Sequence, residues 1–238
     1  MKPAIIIRSP GGVLLVAIVL VACSGRVAAC GQAQGPAAAG QAGQEIQLPK
    51  PQADGKMSVE RAIATRRSVR QFAPDPLTWA EIGQLAWAGQ GITDAAGIKR
   101  AAPSAGALYP MELYIFTAEG VFRYLPKTHQ ATRVMTGDQR PALSAAALNQ
   151  ESIKQAPCVI VLTAVPDRTR PKYKDRTPRY IAIEAGHIGE NVLLEATALG
   201  LVGVPIGAIT DEKVGAVLGL KSGEEPIYIL AIGHAGQK

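Results

Sequence analysis

Arg179-Tyr180-Ile181-Ala182-Ile183-Glu184-Ala185-Gly186-His187-Ile188-Gly189-Glu190-Asn191 is the most regular stretch of this 238-residue chain. Ile181, Ala185, Ile188, Val192, Ala196 and Leu199 recur at helical spacing through it and beyond, and Gly200 supplies a stop, so one long amphipathic helix is expected. His187 has Glu184 and Glu190 one turn to either side, but neither zinc-helix spacing, H-E-x-x-H or H-x-x-E-H, is complete. Helix packing or a hydrogen bond toward a ligand is therefore preferred for His187, and no metal is expected.

Downstream, Ala198-Leu199-Gly200-Leu201 leads into Gly203-Val204-Pro205-Ile206-Gly207, which by itself reads as a Gly/Pro loop. A short helix from Asp211 to Leu218 and a strand from Ile227 to Ile232 follow. Upstream, Ser58 can cap a helix to about Thr65, and Thr78 with Glu81 forms a capping box for a helix carrying Trp79, Ile82, Leu85 and Ala86 on one face. Trp79 and Trp87 are assigned to the core. Leu113 to Thr117 and Val121 to Leu125 flank Glu119-Gly120 as a hairpin, a weaker helix covers roughly Arg140 to Lys154, and Val159 to Ala164 is a buried strand. These elements do not alternate as βαβ units, and the hairpin is antiparallel, so the pattern indicates an α+β domain.

Two runs carry chemistry. Arg66-Arg67-Ser68-Val69-Arg70 sets three guanidinium forks and a hydroxyl within five residues, a donor set suited to phosphate or an anionic carbonyl; the alternative is a solvated basic turn. In Pro103-Ser104-Ala105-Gly106-Ala107-Leu108-Tyr109-Pro110, four small residues let a flat ligand approach the backbone, and prolines restrict both ends. The alternative is a turn into a helix with Ser104 as its N-cap.

Together these runs, the E-A-G-H helix and the G-V-P-I-G segment, in this order over roughly residues 46 to 234, resemble the nitroreductase superfamily, specifically its SagB/ThcOx-type dehydrogenase branch. The resemblance implies a nitroreductase-like FMN-binding fold, a central, mostly antiparallel sheet wrapped by helices, and a homodimer with flavin at the subunit interface. It implies that Arg66, Arg67, Ser68 and Arg70 hold the phosphate, ribityl chain and pyrimidine edge of FMN. Pro103, Ser104, Ala105, Gly106 and Ala107 would approach the same flavin from the partner subunit, and Gly203, Val204, Pro205, Ile206 and Gly207 would cover one ring face. Azoline-oxidising members carry a Lys-Tyr pair upstream of the helix, and Lys172-Tyr173 stands at the matching place as the catalytic candidate. The alternative for this pair is a basic loop, since Arg168, Arg170, Lys174, Arg176 and Arg179 surround it. Glu190 departs from the resemblance, standing where glutamine is common. The chain also stops at Lys238, where relatives continue with a further phosphate-binding cation.

The activity this implies is two-electron transfer through flavin to or from a small organic or peptide azoline substrate, with NAD(P)H or oxygen as the other redox partner. A non-enzymatic flavin-binding or interaction lipoprotein is the competing reading. Serine hydrolysis at Ala102-Pro103-Ser104-Ala105-Gly106 is weak, because the first glycine of G-x-S-x-G is missing.

Composition bounds these readings. A 47% hydrophobic content supports one sizeable core, and a 5% aromatic share without a basic, aromatic-interleaved stripe argues against nucleic acid. Residues 1–22 read as a lipoprotein signal peptide: Lys2 and Arg8 precede an apolar run from Gly11 to Ala22, ending in the lipobox-like Leu20-Val21-Ala22-Cys23. Lipidation at Cys23 is preferred to cleavage after Val27-Ala28-Ala29, which places the chain in a bacterial cell envelope, on the membrane through its lipid alone. Residues 23–56 form a flexible tether and lead-in, and residues 57–238 the domain. The three cysteines build no disulfide framework, and Cys158 is assigned to inert core.

Overall fold

The computed structural model describes residues 42–236. The leader, Cys23, Cys30, the tether up to residue 41 and Lys238 lie outside the described residues.

Seven strands, β1 (Glu45–Gln47), β2 (Met111–Thr117), β3 (Gly120–Leu125), β4 (Gln130–Thr136), β5 (Cys158–Ala164), β6 (Val202–Ile206) and β7 (Glu225–Gly233), form one sheet in the order β1-β4-β3-β2-β5-β7-β6. Every neighbouring pair is antiparallel. The period-2 geometry of a strand sends alternate side chains to opposite faces. Leu113 and Ile115 of β2 and Ile160 and Leu162 of β5 therefore enter one core, while Tyr114, Phe116, Val159 and Val161 enter a second.

Helices cover both faces. α2 (Trp79–Gln90) and α6 (Thr177–Ala198) bury Leu85, Ala86, Ile181, Ala185, Ile188 and Val192 in the first core. α3 (Arg140–Ala146), α4 (Glu151–Gln155) and α7 (Asp211–Leu218) bring Leu143, Ile153, Val214 and Leu218 to the second. Each fully buried Leu, Ile or Phe contributes about 1.5–3 kcal/mol, so the two layers, rather than helix propensity, hold the elements in place. α1 (Val59–Thr65) packs on α6, and α5 (Arg170–Tyr173) is a single turn ahead of α6.

Local signals act as expected at several ends. Ser58 caps α1 by accepting from Arg61 N, and both hydrogen bonds of the Thr78/Glu81 box are present at α2. α6 stops at Gly200, whose φ of +76° lets Leu201 N donate back to Ala196 O at 2.8 Å. Trp79 packs edge-on against Phe122 at 4.9 Å, as a core residue should, whereas half-buried Trp87 lines a cavity.

The structure corrects three expectations. The segment 140–154 is two short helices, because Leu148 and Asn149 adopt φ of +56° and +59° between them. The Gly203–Gly207 stretch is a strand over most of its length, with Val204 and Ile206 buried in the second core and Pro205 tolerated on an edge strand. Residues 45–47, inside the stretch read as lead-in, pair with β4 and close one edge of the sheet. Among the described residues no helix is long and apolar enough to cross a membrane.

Candidate active site

The small-residue run forms a tight loop between α2 and β2. A 3-10 turn at Ala105–Ala107 carries positive φ at Gly106, Ala107 and Tyr109 (63°, 55° and 46°). Two of these are not glycine, and left-handed backbone costs such residues roughly 1–2 kcal/mol each, so the surroundings must hold the loop. Ser104 is the main tie. Rather than capping the turn, its hydroxyl accepts from Tyr109 N at 2.9 Å and donates to Glu184 Oε2 at 2.5 Å.

Glu184 lies on α6, 2% exposed, with its second oxygen unpartnered. Burial pushes its carboxyl up to about 7, against the opposing pull of the Ser104 hydrogen bond and the Arg100 charge. Arg100 stacks over the Tyr109 ring, 4.6 Å from its centroid, and its guanidinium donates to Gln90 Oε1. Neither Gln90 Nε2 nor the second Glu184 oxygen makes a hydrogen bond of good geometry, yet Gln90 is close enough to pull the Glu184 carboxyl down, so the two buried polar atoms share this corner beside the loop.

The Lys-Tyr pair meets the same loop. A methyl group added at Gly106 would lie 2.7 Å from Lys172 Nζ and 3.1 Å from Tyr173 Oη, so both polar tips reach this glycine. Arg168 positions the segment that carries them: it donates to Tyr109 O at 3.1 Å and to Glu112 Oε1 at 2.5 Å. Glu112, nearly buried on β2, also accepts from Arg123 at 2.9 Å. Glu184 thus ties the loop to α6, while Arg168, bound to Tyr109 O and Glu112, ties the segment of the catalytic candidates to the loop and β2.

The arginine run converges with β6. Ser68 forms a parallel bridge with Gly203, and Val69 N donates to Gly203 O at 3.0 Å. Arg66 approaches Glu190 at 3.7 Å, while Arg67 donates to the Ala64 and Arg66 carbonyls and, like Arg70, has no ion pair among the described residues. Tyr228 stands close by: burial and the Glu190 charge raise its phenol, while Arg66 acts in the opposite sense. Glu190, the departure noted in the sequence, is therefore the acid nearest Arg66. Around Gly207 there is room, since a Cβ would meet only Tyr228 Cε2, at 3.9 Å.

His187 is exposed on α6, and among the described residues there is no group of three or more His, Cys, Asp and Glu placed for a metal ion. Cys158 is fully buried, which pushes its thiol up to about 12, a state with almost no thiolate. A cavity of about 870 Å³ between residues 49–59, α2 and the second half of α6 is lined by none of residues 66–70, 103–110, 172–173 or 203–207, although Asn191, Ala198 and Leu199 of the helix motif reach it. Sequence reading overlooked Glu184, Glu112, Arg168 and Arg100 as site residues, although Glu184 sits on the same stripe as Ile181, Ala185 and Ile188. A carboxylate on an apolar stripe was the available signal.

The chain is similar to known proteins over most of its length. The Nitroreductase family profile matches residues 63–234. A Methanocaldococcus jannaschii protein with a nitroreductase name is 38% identical over 196 residues, covering 80% of this chain and 96% of its own length. A Ralstonia eutropha crystal structure, also under a nitroreductase name, superposes with a TM-score of 0.76 at 27% identity, covering 82% of this chain and 90% of that one. The NADPH:FMN oxidoreductase of Vibrio harveyi shares the fold at a TM-score of 0.57 and 22% identity, covering 75% of this chain and 69% of that one. With most of its length matched by one profile and by a full-length relative, the chain is an oxidoreductase-type member of the nitroreductase family.

Proposed function

We propose that this chain is an FMN-dependent, SagB/ThcOx-type oxidoreductase that moves two electrons to or from a small organic or azoline-containing peptide substrate. The observation that carries this reading is the meeting of Lys172 Nζ and Tyr173 Oη at Gly106. Bound FMN would supply two-electron acceptance and donation. The residues present suit it: Arg67 and Arg70 lack acidic partners among the described residues, and the backbone at Gly207 is open. Arg66, Arg67, Ser68 and Arg70 would hold the phosphate and the electron-rich ring edge, and residues 103–107 would supply close backbone approach.

Converting an azoline to an azole removes two electrons and two hydrogens, one of them as a proton that Lys172 and Tyr173 can receive. A nitro group or quinone takes its protons from solvent and makes no such demand. The exposed apolar side chains Val59, Ile63 and Ile183, on two helices that pack together, support a homodimer. The Vibrio harveyi relative is named for NADPH and FMN, which supports a nicotinamide donor here. Lipid attachment at Cys23 would hold the enzyme in the cell envelope.

The test is to purify the protein, record its flavin absorption, and compare wild type with Lys172→Met/Tyr173→Phe. Oxidation of an azoline substrate should slow about 100-fold, the lower range of general acid–base catalysis, while NAD(P)H-driven quinone reduction and flavin content stay unchanged. Equal slowing of both reactions refutes the proton-acceptor role. Bound flavin without any turnover favours a non-enzymatic flavin-binding lipoprotein.

A further inference from the structure

The segment that delivers Lys172 and Tyr173 is unusually cationic. Between Asp167 and Arg179 stand six cations against two acids. Arg168 is bound to Glu112, and Arg170 pairs with Asp167 at 3.0 Å. Lys172, Lys174, Arg176 and Arg179 are exposed, and among the described residues none of them has an ion-pair partner.

Free cations on successive turns repel one another. They also crowd the start of α6, whose first turn holds no acid and where aligned peptide dipoles already favour negative charge. The fold nevertheless holds this segment firmly, through Arg168 and through Tyr173 N donating to Thr169 O at 3.0 Å. Lys174 is kept at φ +47° and ψ −123°, a conformation unfavourable for any residue but glycine. Beside it the half-buried rings of Tyr173 and Tyr180 lie 4.4 Å apart, tilted at 45°, an aromatic pair adjoining the cations on which a flat ligand can stack.

We infer that Lys174, Arg176 and Arg179 form a recognition face for the anionic group of a planar organic substrate, a carboxylate or phosphate, held beside Gly106. This rests on the redox reading above and names the class of molecule that site selects. The anionic group belongs either to the electron acceptor or substrate, or to the phosphate of a nicotinamide dinucleotide donor. Guanidinium–carboxylate and guanidinium–phosphate bonds are charge-assisted, and a patch of one sign also raises the encounter rate of oppositely charged molecules.

The experiment uses the flavin-loaded full chain and the triple variant Lys174→Gln/Arg176→Gln/Arg179→Gln, with Lys154→Gln/Lys213→Gln/Lys221→Gln as an equal charge loss elsewhere. Two acceptors, 4-nitrobenzoate and neutral 4-nitrobenzyl alcohol, are each paired with NADH and NADPH. In the patch variant KM should rise about tenfold either for 4-nitrobenzoate or for the phosphate-bearing nicotinamide donor, with kcat and the KM for neutral 4-nitrobenzyl alcohol within twofold and the control variant unchanged. A change confined to nitrobenzoate assigns the face to the acceptor, one seen with NADPH alone assigns it to the extra phosphate of that donor, and one seen with both NADPH and NADH assigns it to the pyrophosphate they share. Inorganic pyrophosphate titrated calorimetrically into both proteins reads anion binding without turnover, and its affinity should fall about tenfold in the patch variant. Equal pyrophosphate affinity, or KM changes matched by the control variant, overturns the inference whether or not flavin is bound. A colourless, inactive protein that still shows the pyrophosphate difference refutes the redox reading alone.

Discussion

Replacing Glu184 by glutamine should change how stability depends on pH, and the structure gives the size of the effect. Burial raises the Glu184 carboxyl from the ordinary 4.5 to about 7. In that window the folded chain retains a proton that the unfolded chain has released. The contribution is therefore fully present below pH 4.5 and is lost as pH rises through 7. At 1.36 kcal/mol per pH unit the loss amounts to about 3 kcal/mol, or about 10 °C in Tm for a domain of this size. The glutamine side chain of the E184Q variant cannot ionise, keeps an oxygen for the Ser104 hydroxyl, and escapes this loss. Urea denaturation of wild type and E184Q at about pH 4.5, 6 and 8, with matched flavin content, should show a gap that widens in favour of the variant by about 3 kcal/mol. Parallel stabilities across the range would refute the reasoning, since they would mean that Glu184 ionises as freely in the fold as in the open chain.

Arg66→Ala or Arg70→Ala should weaken flavin retention by about 1.5–3 kcal/mol each, read as loss of yellow colour on dialysis; full retention in both removes the arginine run from the cofactor site. Gly106→Ala combines a left-handed backbone with a methyl group 2.7 Å from Lys172 Nζ. It should cost roughly 1 kcal/mol of stability and displace the lysine, slowing azoline oxidation more than quinone reduction with flavin absorbance unchanged. Cys23→Ser should move the protein from the membrane to the soluble fraction or leave an unprocessed precursor, whereas a mature N-terminus at Cys30 by mass spectrometry points to ordinary cleavage.

The elements that could be read from the sequence are those whose signal is local. The α2 start is a hydrogen-bonded box of two side chains three residues apart, and the α6 stripe repeats over five turns. β4 escaped notice because its inward positions are Ala131 and Arg133, and a buried arginine breaks the apolar alternation that marks a strand. β1 is three residues long and is defined only by its partner, 85 residues away at Ile46↔Ala131. β6 was masked by its own composition, since Gly203 and Pro205 read as loop residues until an edge position permits them. The motif runs were legible because each is contiguous. What joins them, Ser104 to Glu184 and Arg168 to Glu112, spans 80 and 56 residues and exists only in the fold.

The bridge between Ser68 and Gly203 reaches beyond the cofactor. β6 is the last strand of the sheet, and a bare last strand offers unpaired N–H and C=O groups to any other chain. The arginine run lies beside that rim, with Ser68 bridged to Gly203 and Val69 N bound to Gly203 O, and sets cations next to an edge that would otherwise stand open. On the function proposed above, cofactor binding and protection of this rim fall on the same five residues. Any lineage or designer that trades this run away to abandon the flavin must shield the rim by other means, or accept a protein that grows into aggregates from that side.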